Sequence, residues 1–197
     1  MSMNSLVAFE VVLTASCMIS LYLARQAFFP VSLFWAFGAA TFGVTAALGA
    51  FKFAGFVEVE TYHATAKYFA GSVGLICFAL GALGGLFSNI VMRFWWGIIF
   101  GLIVALTIVL LLGHWRITPD MQKIVVGVIF LIGLIRLISS SVLALYLIIG
   151  SACLVLSAVA VKWIALNTGL DATNIYHILI SFAVVSFGVS ASRDDGE

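Results

Sequence analysis

Apolar residues occupy this chain in long blocks, separated by short clusters of polar residues, glycine and proline. A helix that crosses a bilayer needs about 20 mostly apolar residues. Seven blocks meet that length, at about 5–24, 30–53, 61–86, 92–113, 119–138, 140–164 and 172–191. The punctuation between them agrees: Pro30 follows the first, Gly84-Gly85 closes the third, and Asn167-Thr168-Gly169 parts the last two. Thr118-Pro119-Asp120 offers an N-cap, a first-turn proline and a first-turn acid to the fifth helix, and Ser139-Ser140-Ser141 a tight turn before the sixth. The pattern predicts an all-α integral membrane protein with seven transmembrane helices, as a single domain over residues 1–197. An odd number of crossings puts the two termini on opposite faces.

Composition sharpens this reading. Of 197 residues, 64% are hydrophobic, and only nine Lys or Arg and eight Asp or Glu are present. A soluble fold could not hide so much apolar surface. The lipid bilayer is therefore the main partner, with a homo-oligomer or a second membrane protein able to cover further surface. A net charge of +1 gives no nucleic-acid signal. Cys17, Cys77 and Cys153 lie singly inside apolar runs, as small packing residues do. The first six residues carry no Lys or Arg, so the first apolar run is expected to be retained rather than cleaved.

Charge then sorts the two ends of the bundle. Arg25, Arg93, Arg136 and Arg193 fall at the end opposite the N-terminus, and Lys52, Lys67, Arg116, Lys123 and Lys162 towards the N-terminal face. The count is nearly even. The opposite face holds only arginine until the terminal acids, which favours a cytoplasmic C-terminus and an external N-terminus. Trp35, Phe94-Trp95-Trp96, Trp115, Trp163, Tyr62 and Tyr176 occupy positions expected of interfacial anchors.

All three histidines, His63, His114 and His177, fall at the N-terminal face, together with Glu10, Glu58, Glu60, Asp120 and Asp171. Longer, wetter loops there account for several of these. They do not account for Glu10, about five residues into the first helix and so roughly 7 Å deep. Ionisable side chains at that depth usually face a bundle interior or a water-filled cavity.

Two Tyr-His pairs, Tyr62-His63 and Tyr176-His177, bring more of the chain into register. Ser72 and Gly74 follow the first at the same spacings as Ser186 and Gly188 follow the second. Lys52 stands 27 residues after Arg25, and Lys162 stands 26 after Arg136. Helices one to three thus read as repeated in five to seven, with helix four as linker: a three-plus-one-plus-three parallel internal repeat, of a kind that places sites between its halves. On helical spacing, Glu60, His63, Lys67 and Gly74 form one stripe, and Asn174, His177, Ser181 and Gly188 the equivalent one. Ala39, Gly43 and Ala47 form a close-packing seam on helix two. A polar vestibule at the N-terminal face, above a dry floor, is the expected result.

In plan the chain resembles small seven-helix membrane families. The triple-helix, linker, triple-helix order is similar to that of the sugar-transporting PQ-loop proteins. Their proline-glutamine pairs are absent here, where the only prolines are Pro30 and Pro119. Helix seven carries no lysine for the retinal linkage of microbial rhodopsins. Its histidine resembles that of the ceramidase-type membrane hydrolases, but Ser181 stands where their second histidine belongs.

The leading expectation is transport or permeation of a small solute, ion or proton, with His63, His177, Glu10, Glu60, Lys67, Asn174 and Ser181 along the pathway. The chief alternative is a zinc-dependent membrane hydrolase, its metal held by His63, His177 and one of His114, Glu60 or Glu10, with Glu60 or Asp171 as general base. Haem between His63 and His177 is a further cofactor option. An accessory or lipid-binding subunit without turnover is the remaining class.

Overall fold

The computed structural model describes residues 3–87, 93–113 and 117–194. His114, Trp115, Arg116, Asp195 and Glu197 lie outside the described residues, as does the side chain of Arg93. The described residues form helices and no strand: α1 (Met3–Ala24), α2 (Val31–Phe53), α3 (Glu60–Phe69), α4 (Leu75–Leu86), α5 (Arg93–Leu111), α6 (Pro119–Arg136), α7 (Ser141–Val159), α8 (Val161–Thr168) and α9 (Ala172–Ser192). Among the described residues, six segments are long and apolar enough to cross a bilayer: Ser5–Ala24, Val31–Phe53, Val57–Leu86, Phe94–Leu111, Ser141–Val159 and Ala172–Ser192. The described residues are all-helical, and these long apolar helices are those of a multi-pass membrane protein. α6 is 18 residues long and carries Asp120, Lys123 and Arg136, which sets it apart from those six.

Local chemistry explains the helix ends. Thr118 caps α6 by accepting from the Met121 amide at 3.3 Å, with Pro119 in the first turn where its missing N–H costs nothing. Asp171 caps α9, accepting from the Thr173 amide at 2.8 Å and the Asn174 amide at 3.4 Å. Gly169 ends α8 in the left-handed conformation that a glycine adopts most cheaply.

Two elements depart from regular pattern. The third apolar block is continuous but includes a π-turn at Ala70–Gly74, so α-helical spacing does not run unbroken through it. There Gly71 faces Gln122 of α6, and Gly74 faces Thr41 and Phe42 of α2. The sixth block divides at Ala160 into α7 and the short, largely exposed α8.

Six positions make a closed ring in which α1 touches α2, α2 touches the α3–α4 helix, α4 touches α6, α6 touches α7, α7 touches α9, and α9 returns to α1. α5 lies outside it, packed through Trp96 and Phe100 on Phe34 with ring centroids 5.8 and 5.7 Å apart. Small residues set the close approaches, because association in lipid depends on packing rather than on expulsion of water. Gly43 lies 3.1 Å, measured from an ideal Cβ, from Cys17 of α1.

At the centre, Trp35, Phe78 and Phe187 form an aromatic cluster, with centroids 4.9 Å apart for Phe78–Phe187, 6.1 Å for Trp35–Phe78 and 6.3 Å for Trp35–Phe187. Each ring rests on a glycine of a neighbouring helix: Phe78 on Gly38, Phe187 on Gly150 and Trp35 on Gly81. Trp35 is thus a core residue and not the interfacial anchor its place in the sequence suggests, and Trp96 is likewise buried. Trp95, Trp163 and Tyr62 are exposed, as anchors are.

Candidate functional site

The start of α1, the end of α2 and the starts of α3 and α9 meet at the N-terminal end of the bundle. Glu10 of α1 and His177 of α9 form a buried pair there, with His177 Nε2 3.1 Å from Glu10 Oε1. Their exposures are 3% and 6%. The space for the carboxyl comes from Gly49 of α2, where a methyl group would overlap it. The site is thus cut from three helices: the acid from α1, the imidazole from α9, and the room from α2.

The second ring nitrogen fixes the protonation chemistry. His177 Nδ1 lies 2.7 Å from the Thr173 carbonyl oxygen, which only accepts, so Nδ1–H is the donor. Nε2 must then meet Glu10 in one of two ways. It carries a proton and faces a carboxylate, or it is bare and accepts from a protonated carboxyl. Either way one proton lies between the two groups, and moving it across their contact converts one form into the other. Burial without that proton would leave an unpaired carboxylate in apolar surroundings, at a cost of several kcal/mol.

His63, from the first turn of α3, completes the group. It is buried, its ring lies edge-on to Phe53 at 6.3 Å, and it interacts electrostatically with both Glu10 and His177. Tyr176 lies edge-on to the His177 ring at 5.5 Å and also senses the Glu10 charge.

The other sequence-predicted residues divide. Asn174 and Ser181 share the His177 face of α9, one turn to either side, and Asn174 Oδ1 and Ser181 Oγ are buried with no hydrogen-bond partner among the described residues. Glu60 and Lys67 stand in exposed positions, and both interact electrostatically with His63. Glu60 pairs with Lys52 at 2.8 Å and ties the start of α3 to the end of α2, a positioning contact at the corner where Gly55 turns with φ 105°. Asp171 is spent as the α9 cap. No group of three His, Cys, Asp or Glu side chains with metal-ligand geometry occurs among the described residues, and His114 lies outside them. An open recess of about 460 Å³ lies beside α9, lined in part by Ser157, Lys162, Thr173 and Tyr176.

Sequence reasoning missed a second buried charged pair at the opposite end. Arg136 of α6 and Asp194, just past α9, make a two-pronged ion pair, Nη1–Oδ2 3.0 Å and Nη2–Oδ1 3.1 Å, with exposures of 8% and 1%. Gly85 of α4 leaves the room for it, and the Asp194 carbonyl accepts from the Phe28 amide at 3.3 Å. The only signal in the sequence was an arginine at the end of an apolar block with Gly84-Gly85 and a terminal acid available.

Fold and site together describe a multi-pass helical membrane protein with a buried carboxyl–imidazole pair. No protein-family model, curated protein or solved structure matches the chain.

Proposed function

We propose that this protein moves protons, alone or together with a small solute, through a polar vestibule at its N-terminal face. The observation that carries the reading is the Glu10–His177 pair: its hydrogen bonding requires one proton, and shifting that proton needs little change in geometry. His63 is a third titratable group, buried at the same end of the bundle and electrostatically coupled to both members of the pair. A carboxyl and two imidazoles in an apolar bundle are costly to keep, and intramembrane ionisable groups of this kind commonly belong to ion pathways and proton relays.

In this reading α6 is the seventh span. Its charges sit in the first and last turns, at Asp120, Lys123 and Arg136, and leave an uncharged stretch between. The three-plus-one-plus-three repeat is supported by the ring of helices. A two-fold operation that exchanges α1, α2 and α4 with α6, α7 and α9 turns each neighbouring pair of the ring into another neighbouring pair. Phe78 of α4 rests on Gly38 of α2 and Phe187 of α9 on Gly150 of α7, and the two rings meet between the halves.

The test is proton flux into proteoliposomes that hold a pH-sensitive dye, under an imposed membrane potential. Wild type is expected to conduct. Glu10→Gln keeps a donor facing His177 Nε2 but cannot exchange the proton, so the folded variant is expected to be silent. Flux equal to wild type in that variant would remove the pair from the pathway.

A further inference from the structure

The α1–α9 seam continues inward from the Glu10–His177 pair. α1 and α9 run in the same direction, touching at Glu10–His177 and again, towards the other end, where Gly188 packs on Ser20. Ser181 falls between these two contacts, about 6 Å deeper than His177 at 1.5 Å per residue. Its exposure is 7%, yet its hydroxyl has no partner among the described residues. That is unusual. Serines within helices commonly bond back to a carbonyl three or four residues earlier, as Ser16, Ser151 and Ser157 do here. One turn outward, Asn174 Oδ1 is in the same condition. Buried polar atoms are nearly always satisfied, by protein or by ordered water.

We infer that Asn174 and Ser181 bind internal water on either side of the Glu10–His177 pair, forming a hydrated column that opens at the N-terminal face and ends blind below Ser181. This rests on the proposed proton function for its purpose, but not for its existence. Asn174 Oδ1 accepts from the outer water, through which a proton can reach the pair from outside, and Ser181 Oγ donates to and accepts from the inner water. Deeper in the bundle, the Trp35–Phe78–Phe187 cluster presents ring faces and one polar atom, Trp35 Nε1, itself buried without a partner among the described residues, and that single donor falls short of the two to four polar partners a water needs. Beyond the rings the Arg136–Asp194 pair satisfies its own charges. The column is therefore one-sided in this conformation, and passing a proton on to the other face requires the rings to part.

Side-specific thiol labelling tests this without reference to transport. In a variant with Cys17, Cys77 and Cys153 replaced, Asn174→Cys and Ser181→Cys are placed singly in sealed liposomes and exposed to a small membrane-impermeant thiol reagent from either side. Tyr62→Cys marks the N-terminal face and Ile138→Cys the other. Both test cysteines are expected to react only from the Tyr62 side. A Ser181→Cys inert from both sides, or reactive from the Ile138 side, would overturn the column. Should the cysteine variants fail to fold, radiolytic footprinting of wild type with labelled water gives the same answer. Label at His177 with none at Phe78 and Phe187 is expected, and an unlabelled His177 would overturn the proposal. Labelling of Ser181→Cys from the Tyr62 side in a protein that conducts no protons would leave the hydrated column standing and remove the function.

Discussion

A buried charged pair lies near each end of α9, Glu10–His177 at its start and Arg136–Asp194 just past its last residue, and the two are chemically opposite. At the Arg136–Asp194 end the cation is a guanidinium, which stays protonated at any accessible pH, and two parallel hydrogen bonds lock its plane to the carboxylate. At the Glu10–His177 end a single contact joins two groups that can each hold or release the same proton. The first arrangement has one state and the second has two. A fold that needed only to neutralise buried charge could use the first at both ends. The contrast locates stability at one end of the molecule and exchangeable chemistry at the other.

The largest effect tests the fixed pair. Arg136→Ala leaves Asp194 buried and unpaired, and thermal or denaturant unfolding in detergent is expected to show a loss of about 3–5 kcal/mol. Replacing both partners with apolar residues of similar volume is expected to recover much of it, since no orphan charge then remains. If Arg136→Ala unfolds like wild type, the pair is not the strut its geometry indicates.

Gly49→Ala comes next, because the new methyl meets the Glu10 carboxyl. Overpacking of this kind costs about 1–3 kcal/mol. Its sharper consequence is displacement of Glu10 from His177, so proton flux should fall together with stability. A variant with normal flux would mean that the carboxyl can work from another position.

Glu10→Gln is expected to unfold within about 1 kcal/mol of wild type, because an amide N–H can replace the shared proton in the hydrogen bond to Nε2. The two ends of α9 then separate cleanly: Arg136→Ala is a stability variant and Glu10→Gln a function variant. A large destabilisation by Glu10→Gln would make both pairs struts.

The smallest effect is expected at the exposed Lys52–Glu60 bridge. Lys52→Ala should leave the melting temperature within the scatter of surface substitutions, with proton flux unchanged. A marked loss of flux would show that the α2–α3 corner holds His63 more critically than its exposure suggests.

The helices were legible in sequence because a bilayer imposes a length and an apolar composition that no soluble segment of this chain imitates. The gathering of Glu10, His63 and His177 at one end was legible for a related reason: in so apolar a chain, each ionisable residue stands out by depth and face. What failed to show was whatever three-dimensional neighbours decide. Asp194 reads as a solvated terminal acid until Arg136, 58 residues earlier, and the bare Gly85 enclose it. Trp35 reads as an interfacial anchor because it lies near a helix start, yet Gly81 opens a place for its ring in the core. Glu60 and Lys67 share a helical stripe with His63 on paper, but in the fold His63 is buried while both of them are exposed. The π-turn at 70–74 left no mark on the apolar pattern, since it changes the winding and not the composition.

Nitrogen-15 NMR of the His177 ring, in protein whose other two histidines are replaced, tests most directly whether this pair holds one exchangeable proton. Nδ1 is predicted to be protonated in both wild type and Glu10→Gln, while Nε2 shares a proton with Glu10 in wild type and only accepts an amide hydrogen bond in Glu10→Gln. An Nε2 signal identical in the two proteins would contradict the account.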